Sequence, residues 1–308
     1  MIIQSHNTGT SEERSGATLG LLQLAGCHYW PASLLSALVG TTLPFWLRPP
    51  GFSFRWPAAI EFLVATALFH AGFSFLHARF EHRLTAVWSA SRLLGLAGVC
   101  IVTGCLLGLH LNRGIPLHQG VPSGIFLVFG ICALFAGVLY VVPPFSFHRR
   151  AGGETVICAA LGLVPVLGAY LVQVGDLTRT VYLASAPLVV VTALLVWIEE
   201  LITRPGDEKE GRQTMVIVFG PRFSARGVVP ALSILFYAAV LLAVFTSSIA
   251  PWALLALVTI GLVRTINAIS WREYDDPTRL CGASRKGFAV HIATAIIIVA
   301  SSLAALVT

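Results

Sequence analysis

Residues 68–83 read LFHAGFSFLHARFEHR and set His70, Ser74, His77 and Glu81 at separations of four, three and four residues. At about 100° per residue, a helix gathers these four side chains within roughly 40° of one another. An imidazole and a carboxylate one turn apart can pass a proton or hold a phosphate oxygen, which makes His77 with Glu81 the first candidate pair. His70 and His77 lie inside an apolar run, where an ionisable group is costly and turns toward the interior of a bundle. Glu61, near the other end of the same run, reads as an interfacial residue.

Two further segments concentrate chemistry. YVVPPFSFHRRAGGE, residues 140–154, ends an apolar run with two prolines, follows it with a basic triplet, and carries Gly152 and Gly153 into the next run. WIEELITRPGDEKEGRQT, residues 197–214, passes from an apolar run into a charged loop. Carboxylates beside clustered arginines suit a phosphorylated group, gripped by guanidinium forks and by Mg²⁺ bridging carboxylate to phosphate. An apolar bundle behind such a patch accepts a lipid tail, so the expected ligand is an amphiphile with an anionic head.

The elements that position these residues follow from composition. Of the 308 residues 56% are hydrophobic and 11% are charged, and the mean hydropathy is +0.82. Soluble domains carry about 25% charged residues, so the chain reads as an all-α, multi-spanning membrane protein. Apolar runs predict nine spans, at 31–47, 57–79, 91–111, 123–142, 153–173, 180–202, 228–248, 250–268 and 288–307. Residues 1–29 form a polar N-terminal tail and residues 30–308 one transmembrane domain. The six cysteines, with no CxxC pair, read as small buried hydrophobes.

With nine spans, every Lys and Arg except Arg48, Arg55, Arg113 and Arg179 falls on the side of the N-terminus. The positive-inside rule then places that side, and all three polar segments, in the cytoplasm of a cell whose inner membrane holds the bundle. Arginines in such loops follow from topology alone, and the net charge of +6 reports that topology together with contact to anionic lipid or phosphate. No basic stretch interleaved with exposed aromatics suggests nucleic acid.

Residues 140–175 carry Tyr140, Pro143, Pro144, Arg150, Gly153, Glu154, Gly162, Pro165, Gly168, Tyr170, Gln173 and Gly175 at fixed spacing. This pattern resembles the UbiA superfamily of intramembrane aromatic prenyltransferases, especially the branch that prenylates dihydroxynaphthoate for menaquinone. DEKEGRQTMVIVFG, residues 207–220, is similar to that family's second conserved loop. The resemblance implies a prenyl diphosphate held by two Mg²⁺ ions on aspartate-rich motifs after spans 2 and 6, and attack of an aromatic acceptor on the allylic cation.

This chain departs from the family at those motifs. The first, Asn-Asp-x-x-Asp in the family, falls on His77, Ala78, Arg79, Phe80 and Glu81, so two ligand positions become His and Ala and the third a conservative Glu. In the second, Thr203 replaces the first aspartate, Asp207 is kept, and Glu200 matches an acidic position a turn earlier. His148 stands where the family has a phosphate-binding lysine. Imidazole is a poor replacement for carboxylate toward Mg²⁺, so the first metal site is weakened or lost.

The roles implied by the resemblance are as follows. Glu81, Glu200 and Asp207 contact metal; Arg79, Arg92, His148, Arg150 and Arg212 grip the diphosphate; His77 and Tyr140 face the reacting carbons or the acceptor. Two other outcomes stay open, a cyclase that makes a terpene from the diphosphate alone and a non-catalytic lipid-binding protein on the same scaffold.

Overall fold

A computed structural model describes residues 29–81, 88–116, 122 and 124–307. Most of the expected tail lies outside these residues. Where the chain enters, Tyr29 packs on Phe288 with ring centroids 5.4 Å apart.

Nine helical rods follow among the described residues. They are α1 (Trp30–Leu47), α2 (Trp56–Phe80), α3 (Ala90–Arg113), α4 (Ile125–Val141), α5 (Gly153–Val174), α6 (Arg179–Lys209), α7 (Pro221–Phe245), α8 (Pro251–Glu273) and α9 (Pro277–Ala304). Proline sets several of the starts: Pro31 and Pro57 occupy the first turns of α1 and α2, and Pro277 opens α9. There the missing N–H costs nothing and φ is already helical. Asp276 caps α9 by accepting from the amides of Thr278 (2.9 Å) and Arg279 (3.2 Å). Pro165 and Pro230 sit deeper in their rods, each just after a π-helical turn (Ala159–Leu163 and Ser224–Val228) that absorbs the missing donor.

Seven of the rods, α2, α3 and α5 to α9, are long and apolar enough to cross a membrane; α4 is a shorter apolar helix and α1 is not among the seven. The expected nine spans are therefore supported at seven. The physical reason at α1 is its buried face, which carries Ser33, Ser36, Thr41 and Thr42. That helix packs on protein, and its hydroxyls bond back to its own carbonyls, as Ser36 does to Ala32 at 2.7 Å.

α6 is the axis of the bundle. Val181, Ala184, Leu188, Val191, Leu194, Leu195 and Ile198 along it are fully buried. α1, α5, α7 and α9 surround it. α1 meets α5 at Gly40, where a Cβ would lie 2.1 Å from the Val166 carbonyl oxygen. α3 and α4 sit at the periphery and turn Val99, Val102, Leu106, Ile131 and Phe135 outward, the surface expected to meet lipid tails.

Candidate functional site

The ends of α2, α4 and α6 bring the three polar segments together. α2 stops at Glu81, whose amide closes the last turn on the His77 carbonyl at 2.9 Å. After α4 the chain passes Pro143 and Pro144. It turns through Ser146, held at a left-handed φ of 41°, into the short helix Phe147–Arg149. Gly153 lets that turn lie against α5, since a Cβ there would meet the Phe147 carbonyl oxygen at 2.1 Å. Beyond α6, Gly211 takes a left-handed φ of 69°, and the Arg212 amide returns to the Asp207 carbonyl at 2.9 Å.

One backbone bond and one side-chain carboxylate tie the second segment to the third and to the short helix after it. The Gln213 amide donates to the Arg149 carbonyl at 2.9 Å, within an isolated parallel bridge between Arg150 and Gln213. Glu154, buried at the head of α5, accepts from the Gly152 amide at 2.8 Å and from the Met215 amide at 2.6 Å. Its carboxylate therefore satisfies the otherwise orphaned first amide of the short helix Met215–Phe219.

The Glu81 carboxylate lies at the centre, its side chain only 4% exposed. One oxygen faces His148 Nε2 at 2.7 Å and Arg149 Nε at 3.4 Å, and the other is paired with Arg212 Nη2. His148 Nδ1 donates to the Tyr140 carbonyl at 2.7 Å. Each ring nitrogen of His148 thus faces an oxygen, Nδ1 the Tyr140 carbonyl and Nε2 the Glu81 carboxylate. Arg212 also meets Glu210 at 2.7 Å and Asp207 at 3.3 Å. Burial pushes its guanidinium below the ordinary value, yet three adjacent carboxylates keep it charged. Asp207 is fixed in turn by the Thr203 hydroxyl, which donates at 2.7 Å.

A second layer lies one helical turn further into the bundle. The His77 ring meets the His148 ring edge-on at 4.8 Å, and the Tyr140 ring lies 5.7 Å from it. Glu200 sits near Glu154 and the Val216 amide, and its Oε2 is buried with no hydrogen-bond partner among the described residues.

Of the residues expected at the site, Glu81, His148, Arg212, Asp207, His77 and Tyr140 converge. Glu200 lies behind them in the inner layer. Arg150 turns away, its guanidinium donating to the Pro144 carbonyl at 3.0 Å, and Arg149 reaches Glu81 in its place. Arg79 lies with its guanidinium 5.8 Å from the centroid of the Phe80 ring, and Arg92 is exposed on the first turn of α3. His70, grouped with His77 on the helix face, bonds Ser33 of α1 at 2.9 Å and so joins the packing between helices. Arg149 and Glu210 were not singled out from the sequence. Glu154 was, as a motif position without a role.

The donor set does not match a Mg²⁺ cage. Magnesium takes oxygen ligands in an octahedron, whereas the Glu81 oxygens are engaged by cationic side chains and Asp207 by Thr203 and Arg212. Among the described residues no group of three or more His, Cys, Asp or Glu side chains is arranged to hold a metal ion.

Known structures share this architecture. A UbiA homologue from Aeropyrum pernix K1 superposes with a TM-score of 0.68 at 16% identity, over 91% of this chain and 98% of its own. A UbiA homologue from Archaeoglobus fulgidus, solved with DMAPP and Mg²⁺, gives 0.60 at 15% identity, over 90% and 99%. A structure described as digeranylgeranylglyceryl phosphate synthase gives 0.65 at 11% identity, over 92% and 98%. Comparison with curated proteins finds no match. The model of the UbiA prenyltransferase family matches residues 82–292, beginning immediately after the altered motif that ends at Glu81. That match takes in more than half of the sequence and both of the loops that close on Glu81, so the chain belongs to the UbiA prenyltransferase family.

Proposed function

We propose that the protein transfers a prenyl group from a prenyl diphosphate to a hydrophobic aromatic acceptor of the quinone-precursor type. The observation that carries this reading is the gathering of His148, Arg149 and Arg212 at the end of α2, where the resemblance places the first diphosphate motif. In the reaction the prenyl C1–O bond breaks, and the electron pair leaves on the diphosphate. The allylic cation then accepts electrons from an acceptor carbon, a C–C bond forms, and the acceptor loses a proton.

In this reading the Arg149 and Arg212 guanidiniums, with the His148 imidazole as a hydrogen-bond donor, stabilise the charge that builds on the leaving diphosphate. Arg79, at the end of α2, and Arg92, at the start of α3, supply further positive charge around that centre, whereas Arg150 is held on the Pro144 carbonyl. Tyr140 and His77, one turn inward, face the reacting carbons. The basic loops and the N-terminus face the cytoplasm, following the distribution of Lys and Arg.

The Archaeoglobus relative binds DMAPP with Mg²⁺. Here the first metal position is filled by arginine and imidazole chemistry, so dependence on Mg²⁺ is reduced relative to a site built on paired aspartates. Glu200 and Asp207 retain carboxylates on α6 but are not arranged as a cage.

The test is turnover by the purified full-length protein with prenyl diphosphates of several lengths, with and without a dihydroxynaphthoate-type acceptor, in Mg²⁺ and in EDTA. Diphosphate release that requires the acceptor and yields a prenylated ring is the expected result. Hydrocarbon products without acceptor would establish a cyclase instead. No release under any condition would leave a lipid-binding protein.

A further inference from the structure

The centre of the cation cluster is itself an anion. Glu81 engages the same side chains that the proposed function assigns to the diphosphate, and a carboxylate and a phosphate present oxygens to arginine forks in similar geometry. Around it stand His148, Arg149 and Arg212, balanced by the acids Glu81, Asp207 and Glu210. The three acids already offset the two guanidiniums as the set stands. A diphosphate adds about two to three further negative charges at the same place, where burial strengthens repulsion between like charges.

Glu81 receives no help from its own helix. It occupies the C-terminal cap of α2, the negative end of the helix dipole, where an anion is disfavoured. The groups that hold it come from two other segments, the turn 147–149 and the loop 210–214. They tie the end of α2 to both loops through one carboxylate, and an incoming polyanion competes for that tie directly.

On this basis, and resting on the diphosphate reading above, we infer that Glu81 is a resident anion: it occupies the cation cluster in the ligand-free protein and gives way to a condensed phosphate. Glu81 is then a determinant of affinity that opposes binding. The two loops exchange their contact with α2 for contact with the ligand.

The experiment measures binding of inorganic pyrophosphate to the purified full chain in EDTA and in Mg²⁺, for the native protein and for Glu81→Gln. The expected result is binding in EDTA that tightens roughly tenfold or more in Glu81→Gln, the scale of one charge-assisted contact freed for the ligand. Equal or weaker binding by Glu81→Gln, with the native protein binding well, would overturn the inference and leave the diphosphate reading standing. Native binding that needs Mg²⁺ and is lost in Glu81→Gln would do the same and mark Glu81 as a metal ligand. No binding by either form in either condition would overturn both. If Glu81→Gln does not purify as a folded protein, Glu81→Asp keeps the charge but withdraws it by one methylene. It too should bind more tightly than native, and equal or weaker binding would overturn the inference.

Discussion

α2 carries a histidine–carboxylate pair near each of its ends, and the two pairs have the same separation. Glu61 meets His110 of α3 at 2.7 Å, and Glu81 meets His148 at 2.7 Å. Their surroundings differ. The His110 side chain is 73% exposed and that of Glu61 16%, whereas His148 and Glu81 are 3% and 4% exposed. The first pair lies open at the surface of the bundle, and exposed pairs contribute about 0–1 kcal/mol. Around the second the protein has replaced water, so Glu81 requires further cations and obtains them from Arg149 and Arg212. Bond length alone does not rank these interactions. The number of partners that burial obliges a charge to keep does.

The largest effect is expected where that obligation is broken. Arg212→Ala leaves Glu81 and Asp207 without their shared guanidinium in a buried setting, and loss of one partner of a buried pair costs about 3 kcal/mol. Thermal unfolding in detergent should show a large fall in stability, accompanied by loss of pyrophosphate binding. A change near that of a surface substitution would show that the cluster is solvated. Glu154→Gln comes next. The Gly152 and Met215 N–H groups each reach a different oxygen of Glu154; in glutamine one of those positions becomes an NH2 donor, so one buried N–H is left unsatisfied at a cost of about 1–3 kcal/mol. The same unfolding measurement reads it, and a neutral outcome would remove Glu154 from the link between the two loops.

The membrane architecture was legible because hydropathy follows burial in lipid. The apolar run 57–79 corresponds to Trp56–Phe80, and the run 91–111 to Ala90–Arg113. Hydropathy does not see where a helix continues past the apolar layer. α6, expected to end at 202, runs through Pro205 to Lys209. α9, expected from 288, begins at Pro277 because Asp276 caps it there. At the site, the meeting of the three polar segments could be read from their shared side of the membrane. Which arginine enters could not. Arg149 and Arg150 are chemically identical neighbours, and the choice is made by the left-handed turn at Ser146, a position where glycine would have signalled the geometry and serine does not. His70 and His77 share a helix face, yet they part company because α1 presents Ser33 to the first.

That division of the α2 face provides an intermediate test. Ser33→Ala removes the 2.9 Å bond to His70 without touching the cluster at Glu81. The expected loss is about 1 kcal/mol of stability, the value of one part-buried hydrogen bond, with pyrophosphate binding unchanged. Weakened pyrophosphate binding in this variant would return His70 to the functional face.

The smallest effect belongs to the exposed pair, and it tests the comparison most sharply. In a double-mutant cycle, His110→Ala and Glu61→Gln should couple by no more than about 0.5 kcal/mol, less at high salt, because most of the imidazole is exposed and does not depend on Glu61 for its surroundings. The parallel cycle with His148→Ala and Glu81→Gln should show a coupling several times larger and insensitive to salt, since bulk ions do not reach a pair that is only 3% and 4% exposed. Equal couplings at the two ends would mean that separation controls the energy after all. The case for a protein-built charge environment at the end of α2 would then lose its physical basis.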